Sequence, residues 1–297
     1  MIELKGCGTA LVTPLTSSNL IDLDAFSALV RWQVDSGVHF LVPAGTTGES
    51  VTLNEEEYRT VVRTCVEVAN GDVPVVAGAG TNNTEHAIHL SRIAEEQGAS
   101  AILSVSPYYN KPTQEGIFRH FQKIEQALGI PVVLYNVPGR TGNNVEAQTT
   151  LRLSSLEGVV GIKEASSNLD QIMAILAQRT EGFSVFSGDD NVALPITTLG
   201  GDGVISVVSN LIPAQMSQMI ELAREDQIEK ARALHFQFLN LMNLNFIESN
   251  PIPVKYALHR MGRIEEAYRL PLCPLSNQSK KKMDQELEKI NLVVSDD

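Results

Sequence analysis

The sequence predicts a closed (β/α)₈ barrel of parallel strands with a C-terminal helical appendage. Eight short apolar runs alternate with longer stretches of helical periodicity. Most of the runs are apolar throughout, as parallel strands covered on both faces should be. Eight such units in about 220 residues suit a barrel of this kind. An open doubly wound sheet is the alternative, but it usually has fewer strands and would need a nucleotide-binding fingerprint that the chain lacks.

The strands and helices alternate regularly along the chain. Apolar runs predict strands at residues 8–12, 40–44, 73–79, 101–105, 131–136, 159–163, 183–187 and 203–207. Apolar residues at helical spacing predict helices at 23–37, 54–70, 84–98, 114–129, 145–156, 168–180 and 192–200. The helix at 54–70 opens with three glutamates, which complement the positive end of a helix dipole.

The pattern changes after Pro213, where helical stretches continue and no convincing strand appears. The last barrel helix is expected to end near Asp226. Residues 1–226 are therefore predicted to form a catalytic barrel of the TIM type, and residues 227–297 a C-terminal helical domain.

Composition narrows the class of protein. The 297 residues are 43% hydrophobic and 20% charged, as in an ordinary globular protein with a large core. A formal net charge of −12 disfavours a nucleic-acid partner, because phosphates would be repelled. The three cysteines form no CxxC pair, so neither a disulfide framework nor a zinc site is expected. No signal-peptide pattern and no long apolar run occurs, so we expect a cytoplasmic protein without membrane contact.

Unusual polar residues follow the predicted strands at a single edge. The active sites of β/α barrels are built at the C-terminal ends of the strands. The polar segments that follow strands two, four, five, six and seven are 45–50, 106–110, 135–142, 163–164 and 187–190. Their concentration on one rim is stronger evidence for a site than any single motif.

Lys163 carries most of the predicted chemistry. It ends the apolar run 159–162, where a lysine is costly unless it is paired or functional. Desolvation or a nearby cation lowers the pKa of an amine, and the free amine can attack a ketone to form an imine. From position alone, a lysine that extends to solvent from a strand end is the alternative.

A glycine-flanked turn offers a site for an anion. Thr46 and Thr47 lie between Gly45 and Gly48, so backbone N–H groups can point at a carboxylate and the hydroxyls can relay protons. A plain strand-to-helix turn is the alternative. The turn lacks the Gly-Lys-Ser/Thr ending of a nucleotide-binding loop.

Tyr135 and Arg140 complete the predicted rim. A buried phenol can act as general acid and base beside an imine, and a guanidinium can bind a carboxylate through two hydrogen bonds. The alternative for Tyr135 is a core tyrosine without a catalytic role, and the alternative for Arg140 is an ordinary surface arginine. His86 and His89 are three residues apart without an evident third ligand, so no metal site is expected.

Five motifs together resemble the dihydrodipicolinate synthase family over essentially the whole chain. They are residues 45–50 (GTTGES), 107–110 (PYYN), 135–141 (YNVPGRT), 161–166 (GIKEAS) and 250–255 (NPIPVK). The resemblance implies condensation of pyruvate with aspartate semialdehyde, giving 4-hydroxy-tetrahydrodipicolinate for diaminopimelate and lysine synthesis, with no cofactor. It also implies a homo-oligomer, expected to be a tetramer built from two tight dimers.

The resemblance implies two groups of site residues. The catalytic group, which forms the imine with pyruvate and relays protons, is Lys163, Tyr135, Thr47 and Tyr109. The substrate-binding group is Thr46, Thr47, Arg140, Gly188 and Ile205. Tyr109 is expected to reach into the site of the neighbouring subunit, and Arg140 to bind the carboxylate of aspartate semialdehyde.

A regulatory site is implied as well. Lysine-regulated relatives bind lysine beside the tyrosine motif, and the candidate residues here are Ser50, Asn82, His86 and Tyr108. The position of His86 carries a glutamate in strongly regulated members, so lysine is expected to inhibit weakly or not at all.

Other functions fit the sequence less well. An acetylneuraminate-type lyase would keep the lysine and the tyrosine but lacks the run at 137–141. A phosphate-binding barrel isomerase would want a glycine-rich loop after strand seven or eight, whereas residues 200–203 precede strand eight. A non-catalytic binding barrel would not need Lys163, the two tyrosines Tyr109 and Tyr135, and Arg140 together.

Overall fold

A computed structural model describes residues 4–293 and confirms the predicted barrel. The strands are β1 (Gly6–Ala10), β2 (Phe40–Val42), β3 (Val76–Gly78), β4 (Ala101–Val105), β5 (Val132–Asn136), β6 (Val159–Glu164), β7 (Ser184–Ser187) and β8 (Gly203–Ser206). They lie side by side in the order β2-β1-β8-β7-β6-β5-β4-β3. The backbone N–H of Leu41 donates to the carbonyl of Pro74 at 2.9 Å, and Leu41 bridges Val75, so β2 and β3 close the barrel.

Helices cover the outside of the barrel and continue beyond it. They are α1 (Leu23–Asp35), α2 (Glu55–Ala69), α3 (Thr84–Glu96), α4 (Gln114–Gln126), α5 (Pro138–Thr141), α6 (Ala147–Leu153), α7 (Leu169–Gln178), α8 (Ala193–Thr198), α9 (Pro213–Arg224), α10 (Ile228–Leu244), α11 (Ile252–Arg260) and α12 (Asn277–Lys289). The short helix α5 was not predicted. It begins at Pro138, whose ring fixes a backbone angle that suits the first helical position.

Local side-chain contacts explain where several helices begin. At α2, the Asn54 side chain accepts from the Glu57 N–H and the Glu57 carboxylate accepts from the Asn54 N–H, which forms a capping box. The other helices that begin with a side-chain cap have as their capping residues Asp22, Asn83, Thr113, Asn168 and Ser276.

The bounds of β1 and β3 differ from the predicted ones for identifiable reasons. β1 begins two residues earlier, because the Gly6 N–H donates to the Asp202 carbonyl at 2.8 Å and the strand pairs there with β8. It also ends earlier, since the Val12 N–H donates to the Asn210 side chain. β3 is shorter than predicted, because Pro74 has no N–H to offer the sheet.

The core has two layers. Side chains outside the barrel pack under the helices, and a second cluster fills the barrel itself. In that inner cluster Phe40 and Phe186 meet edge to face, with ring centroids 5.4 Å apart. A Cβ at Gly8 would lie 2.1 Å from the Phe40 ring, so only glycine leaves room for it. The inner cluster reaches Tyr135 and Ile205, so a packed layer supports the site from below.

The C-terminal segment contacts the barrel near the rim that carries the candidate residues, through Arg269 between α11 and α12. Arg269 binds the Glu57 carboxylate through two hydrogen bonds of 2.5 and 2.8 Å, and it donates to the Thr52 carbonyl at 2.8 Å. Helix α10 packs on α9, and α12 packs on α10 and α11. Among residues 4–293, the helices are too short or too polar to cross a membrane.

Candidate active site

Lys163 and Tyr135 are neighbours inside the barrel wall. The pairing of β5 with β6 sets the two residues side by side. The Lys163 Nζ lies 4.5 Å from the centroid of the Tyr135 ring, and the two residues are 5% and 7% exposed. The structure therefore brings together the amine and the phenol that the sequence singled out.

A buried carboxyl group, Asp190, is the second ionisable group near this amine. Burial raises the pKa of Asp190, and the charge of Lys163 opposes that rise. One carboxyl oxygen accepts from the N–H groups of Val207 and Val208 at 3.2 and 2.9 Å. Asp190 follows β7 and so joins the carboxyl end of that strand to the end of β8.

The glycine-flanked turn holds Thr47 in a fixed place. Thr47 is 2% exposed, and its Oγ1 accepts a hydrogen bond of 3.0 Å from the Asn250 side-chain amide. The Thr13 hydroxyl donates to the Gly48 carbonyl at 2.7 Å. A Cβ at Gly48 would lie 3.1 Å from the Leu11 carbonyl oxygen, so the turn packs tightly on the end of β1.

Arg140 lies in α5, on the exposed side of the same rim. Its Nη2 donates to the backbone carbonyl of Asn250 at 3.3 Å. Asn250 therefore contacts Arg140 through its backbone and Thr47 through its side chain. The structure brings both sequence-predicted residues around a third residue that had no predicted role.

Gly188 and Ile205 stand at the ends of β7 and β8. The Gly188 N–H already donates to the Glu164 carbonyl at 2.8 Å, so its own carbonyl is the group left for a ligand. A Cβ there would lie 2.5 Å from the Cβ of Ala165. Ile205 is 1% exposed and packs in the inner cluster with Tyr135.

Tyr109 is placed differently from the other candidates. Its side chain is 88% exposed, whereas Lys163 is buried. Its backbone has a φ of +72°, a conformation that is strained for a tyrosine, and its N–H donates to the Thr141 carbonyl at 3.2 Å. Within one chain, the ring projects from the surface instead of entering the barrel.

The four regulatory candidates lie around one cavity of about 240 Å³. Its walls include Ser50, Asn82, His86 and Tyr108, together with Glu55. The family resemblance had pointed to these residues in separate segments, and the structure brings them together.

The sequence analysis counted Glu164 among the polar residues of the rim but gave this carboxylate no role, and the structure places it behind the rim. Glu164 accepts from the Asn136 side chain at 3.0 and 3.1 Å, from the Ser166 N–H at 2.8 Å and from the Gln171 side chain at 3.0 Å. Burial raises the pKa of Glu164. Since neighbouring residues of a strand face opposite sides, Glu164 braces the outside of the wall from which Lys163 points inward.

The sequence analysis also gave no role to Asn250 or to the ion pair between Lys255 and Glu49, whose charged atoms lie 2.5 Å apart. Asn250 and Lys255 belong to the motif 250–255, which was the available signal. The motif alone does not show which residues of the barrel it contacts. Elsewhere, residues 4–293 contain no group of three or more His, Cys, Asp or Glu side chains placed to hold a metal ion.

Comparisons with known proteins agree with this arrangement. The model of the dihydrodipicolinate synthetase family matches residues 3–290. The 4-hydroxy-tetrahydrodipicolinate synthase of Chlorobium chlorochromatii (strain CaD3) is 52% identical over 291 residues, which cover 98% of each chain.

Solved structures give the same result. The crystal structure of dihydrodipicolinate synthase from Thermotoga maritima matches with a TM-score of 0.96 and 43% identity, over 98% of this chain and 100% of that one. The enzyme from Acinetobacter baumannii, complexed with pyruvate, matches with a TM-score of 0.96 and 40% identity, over 97% and 99% of the two chains. The chain therefore belongs to the dihydrodipicolinate synthetase family.

Proposed function

We propose that this chain condenses pyruvate with L-aspartate 4-semialdehyde through an imine on Lys163. The product is 4-hydroxy-tetrahydrodipicolinate, for diaminopimelate and lysine synthesis. The observation that carries the proposal is a buried lysine amine 4.5 Å from the centroid of a buried tyrosine ring, at the carboxyl ends of the strands, in a member of this family.

Imine formation is the first step. The free amine of Lys163 attacks the ketone carbon of pyruvate, a carbon–nitrogen bond forms, and the ketone oxygen leaves as water. The turn at Thr46 and Thr47 is proposed to hold the pyruvate carboxylate with hydroxyl and N–H groups. Burial of Lys163 supports this step, because a buried site keeps bulk water away from the imine.

Proton transfer prepares the nucleophile. The imine acts as an electron sink, so the methyl group loses a proton and an enamine forms. Tyr135 and Thr47 are the proposed relay for this proton and for those exchanged during imine formation. Both side chains are buried on the rim, 7% and 2% exposed, which supports a relay shielded from bulk water.

The aldehyde then enters on the side of Arg140. Its carboxylate is proposed to bind the guanidinium, which positions the aldehyde carbon for attack by the enamine and formation of the carbon–carbon bond. The amino group of the same substrate can then attack the imine carbon and displace the Lys163 amine. That displacement closes the ring and returns the enzyme to its starting state.

A second copy of the chain is proposed to complete the relay. Tyr109 is 88% exposed in a strained backbone conformation, which supports a role for its ring outside its own barrel. We propose that it enters the site of a partner subunit within a tight dimer, and that two such dimers form a tetramer. A cytoplasmic location is proposed too, supported by Cys7, Cys65 and Cys273, which are all unpaired.

Borohydride reduction in the presence of pyruvate tests the proposal. We expect one stable adduct, which peptide mass spectrometry would locate on Lys163, and none in Lys163→Ala. Lys255, which is fully buried but paired with Glu49, is the internal control and should stay unlabelled. An adduct on another lysine, or none, would refute the imine. A panel of aldehydes in a coupled assay would identify the second substrate, with the fastest turnover expected for aspartate semialdehyde.

A further inference from the structure

The side chain of Asn143 joins the segment that follows β5 to the segment that carries Tyr109. Its Nδ2 donates to the Pro107 carbonyl, and its Oδ1 accepts from the Ser106 hydroxyl at 2.9 Å. A carbonyl group can only accept a hydrogen bond, so the nitrogen of the amide has to face Pro107 and its oxygen Ser106. Both ends of one amide are therefore bonded to the two residues that follow β4.

Backbone contacts connect the same two segments. The Tyr109 N–H donates to the Thr141 carbonyl at 3.2 Å. Thr141 ends α5 and is 3% exposed, and its hydroxyl lies 3.2 Å from the Val137 carbonyl and 2.8 Å from the Asn143 carbonyl. The turn that carries Asn143 is thus tied to a buried residue of α5, and the segment of Tyr109 is bonded to that turn.

Tyr109 depends on such support because its own side chain contributes little. The ring is 88% exposed, and the backbone has a φ of +72°, which a tyrosine keeps only when its surroundings enforce it. On the other side of Tyr109, the Asn110 side chain donates to the Asn82 carbonyl at 2.9 Å. The contacts of Asn143 before Tyr109 and of Asn110 after it therefore hold this backbone in place.

We propose that Asn143 is a positioning residue, which holds the segment of Tyr109 so that the ring enters the site of a partner subunit in one orientation. The proposal rests on the function proposed above, because it needs Tyr109 to act in that site. Asn143 lies three residues after Arg140 on its own rim, yet it serves the reaction of the partner. It is assigned no contact with the reacting atoms.

Mixed dimers show in which of the two sites Asn143 acts. One chain carries Lys163→Ala and keeps Tyr109, and the other carries Tyr109→Phe and keeps Lys163. After subunit exchange, a mixed dimer has one complete site, which combines the Lys163 of the second chain with the Tyr109 of the first. The quantity measured is the gain on mixing, which is the activity of the mixture above the average of the two separate variants.

Asn143→Ala is then placed on one chain at a time. On the Lys163→Ala chain it releases the Tyr109 that serves the complete site. We expect the gain on mixing to fall about 10- to 100-fold there, because a misplacement of about 1 Å can cost about 100-fold in rate. On the Tyr109→Phe chain we expect the gain of the parent mixture. Equal losses in the two mixtures, a loss with the Tyr109→Phe chain alone, or no loss at all would overturn the proposal.

This comparison separates positioning from general damage to the protein. A defect in folding or in the contacts between subunits lowers both mixtures alike, whichever chain carries it. Sedimentation should show the same oligomer in both mixtures.

Asn144→Ala is the matched control. The Asn144 side chain bonds to Asn136 and Gln171 of its own barrel wall at 2.8 and 2.7 Å, and not to the segment of Tyr109. Carried by the Lys163→Ala chain, it should leave the gain on mixing unchanged. A loss as large as that from Asn143→Ala would overturn the specific role of Asn143.

Asn143→Asp serves if the alanine variant does not fold. It keeps the size of the side chain and an oxygen for the Ser106 hydroxyl, but it has no N–H for the Pro107 carbonyl. We expect the same difference between the two mixtures, and a full gain in both would overturn the proposal. If the parent mixture shows no gain, the proposed role of Tyr109 in the partner's site fails. If that gain is present and Asn143→Ala leaves it unchanged on either chain, only the role of Asn143 fails.

Discussion

Lys255 and Glu49 form an ion pair 2.5 Å long in which the two side chains are 0% and 2% exposed. Burial lowers the pKa of Lys255, and the charge of Glu49 opposes that change. A buried pair of this kind adds little net stability compared with two apolar groups, but breaking it leaves one charge buried without a partner. The pair therefore fixes which segments meet at the rim more than it stabilises the fold.

Replacing one partner of this pair should cost far more than replacing both. We expect Lys255→Met to lower the free energy of unfolding by about 3–5 kcal/mol, and Lys255→Met with Glu49→Gln to recover much of that loss. Urea denaturation at one protein concentration measures it. Lys123→Met is the control, since the side chains of its pair with Glu85 are 61% and 71% exposed and its loss should cost about 1 kcal/mol or less. A double variant as unstable as Lys255→Met would contradict the argument.

Arg140→Ala should impair use of the aldehyde and leave pyruvate trapping nearly intact. The guanidinium is exposed in this chain, so its contact with a carboxylate is only partly shielded from water. Loss of one charged hydrogen bond should lower kcat/KM for the aldehyde about 10- to 150-fold. Arg140→Lys keeps the charge but cannot form two parallel hydrogen bonds with a carboxylate, so its kcat/KM should lie between those of the wild type and Arg140→Ala. Steady-state kinetics decide this, and a wild-type kcat/KM in Arg140→Ala would remove Arg140 from the site.

Most of the barrel and the pair of Lys163 and Tyr135 could be predicted because they depend on local patterns. Apolar runs located the strands, and consecutive strands of such a barrel are neighbours. A tyrosine at the end of β5 and a lysine at the end of β6 therefore had to lie close together. The strand boundaries at Pro74 and Gly6 depend on which N–H groups find partners across the sheet, which apolar patterns do not report.

The contact of Asn250 with Thr47 could not be predicted in this way. It joins residues that are 203 positions apart, and neither periodicity nor strand order constrains such a contact. The resemblance predicts that the ring of Tyr109 enters a neighbouring subunit, and this stays a prediction. The exposure of that ring and its positive φ appear only in the folded chain.

Mixing two inactive variants should restore part of the activity if Tyr109 acts in the partner's site. Lys163→Ala lacks the amine, and Tyr109→Phe lacks one relay hydroxyl but keeps the ring. In a mixed dimer, one site would combine the intact Lys163 of one chain with the intact Tyr109 of the other. After subunits are exchanged by mild dissociation, we expect up to about one quarter of wild-type activity in an equal mixture, because half of the dimers are mixed and each has one complete site.

Each variant alone is the control for this mixing experiment, and sedimentation should show that both form the wild-type oligomer. Activity equal to the average of the two separate variants would mean that Tyr109 acts within its own chain. Wild-type turnover in Tyr109→Phe would remove its hydroxyl from the relay.

Stability should fall as the pH drops from about 6.5 to about 4, partly through His120. This side chain is 5% exposed, its Nδ1 lies 2.9 Å from the Thr84 hydroxyl, and burial lowers its pKa to about 4. In that range the unfolded chain takes up a proton that the folded chain does not, so the folded state loses up to about 3 kcal/mol.

His120→Asn removes the titrating ring while keeping a polar atom for Thr84. We expect the stability of this variant to depend less on pH. The difference in free energy of unfolding between the wild type and the variant should therefore change by up to about 3 kcal/mol between pH 7 and pH 4. Urea denaturation across this pH range measures that difference in free energy of unfolding. Parallel curves would show that His120 does not titrate differently in the folded state.

The cavity around His86 bears on inhibition by lysine. His86 is exposed there, stacked on His89 with ring centroids 6.3 Å apart. Glu55 could supply a carboxylate in place of the glutamate found in strongly regulated relatives. It is already bonded to His89 at 2.8 Å and lies 3.5 Å from Arg59, and these partners hold the pKa of Glu55 below its usual range.

Glu85 is the other carboxylate near this position. It pairs with Lys123 and is not among the residues that line the cavity. On a helix its side chain points about 100° away from that of His86. Each nearby carboxylate therefore has a partner already, so the amino group of a bound lysine would have to compete for it.

Lysine should consequently inhibit this enzyme weakly or not at all, and His86→Glu should increase the inhibition. A neutral imidazole offers the ammonium group only a hydrogen bond, and a protonated one repels it. A carboxylate at this position adds one charge-assisted contact, which should lower the inhibitory concentration about 10- to 150-fold. Arg92→Glu adds a carboxylate to the same helix outside the cavity and should leave inhibition unchanged. The measurement is initial rate against lysine concentration at fixed pyruvate. Half-inhibition of the wild-type enzyme below about 1 mM would show that the cavity binds lysine well without a glutamate at residue 86.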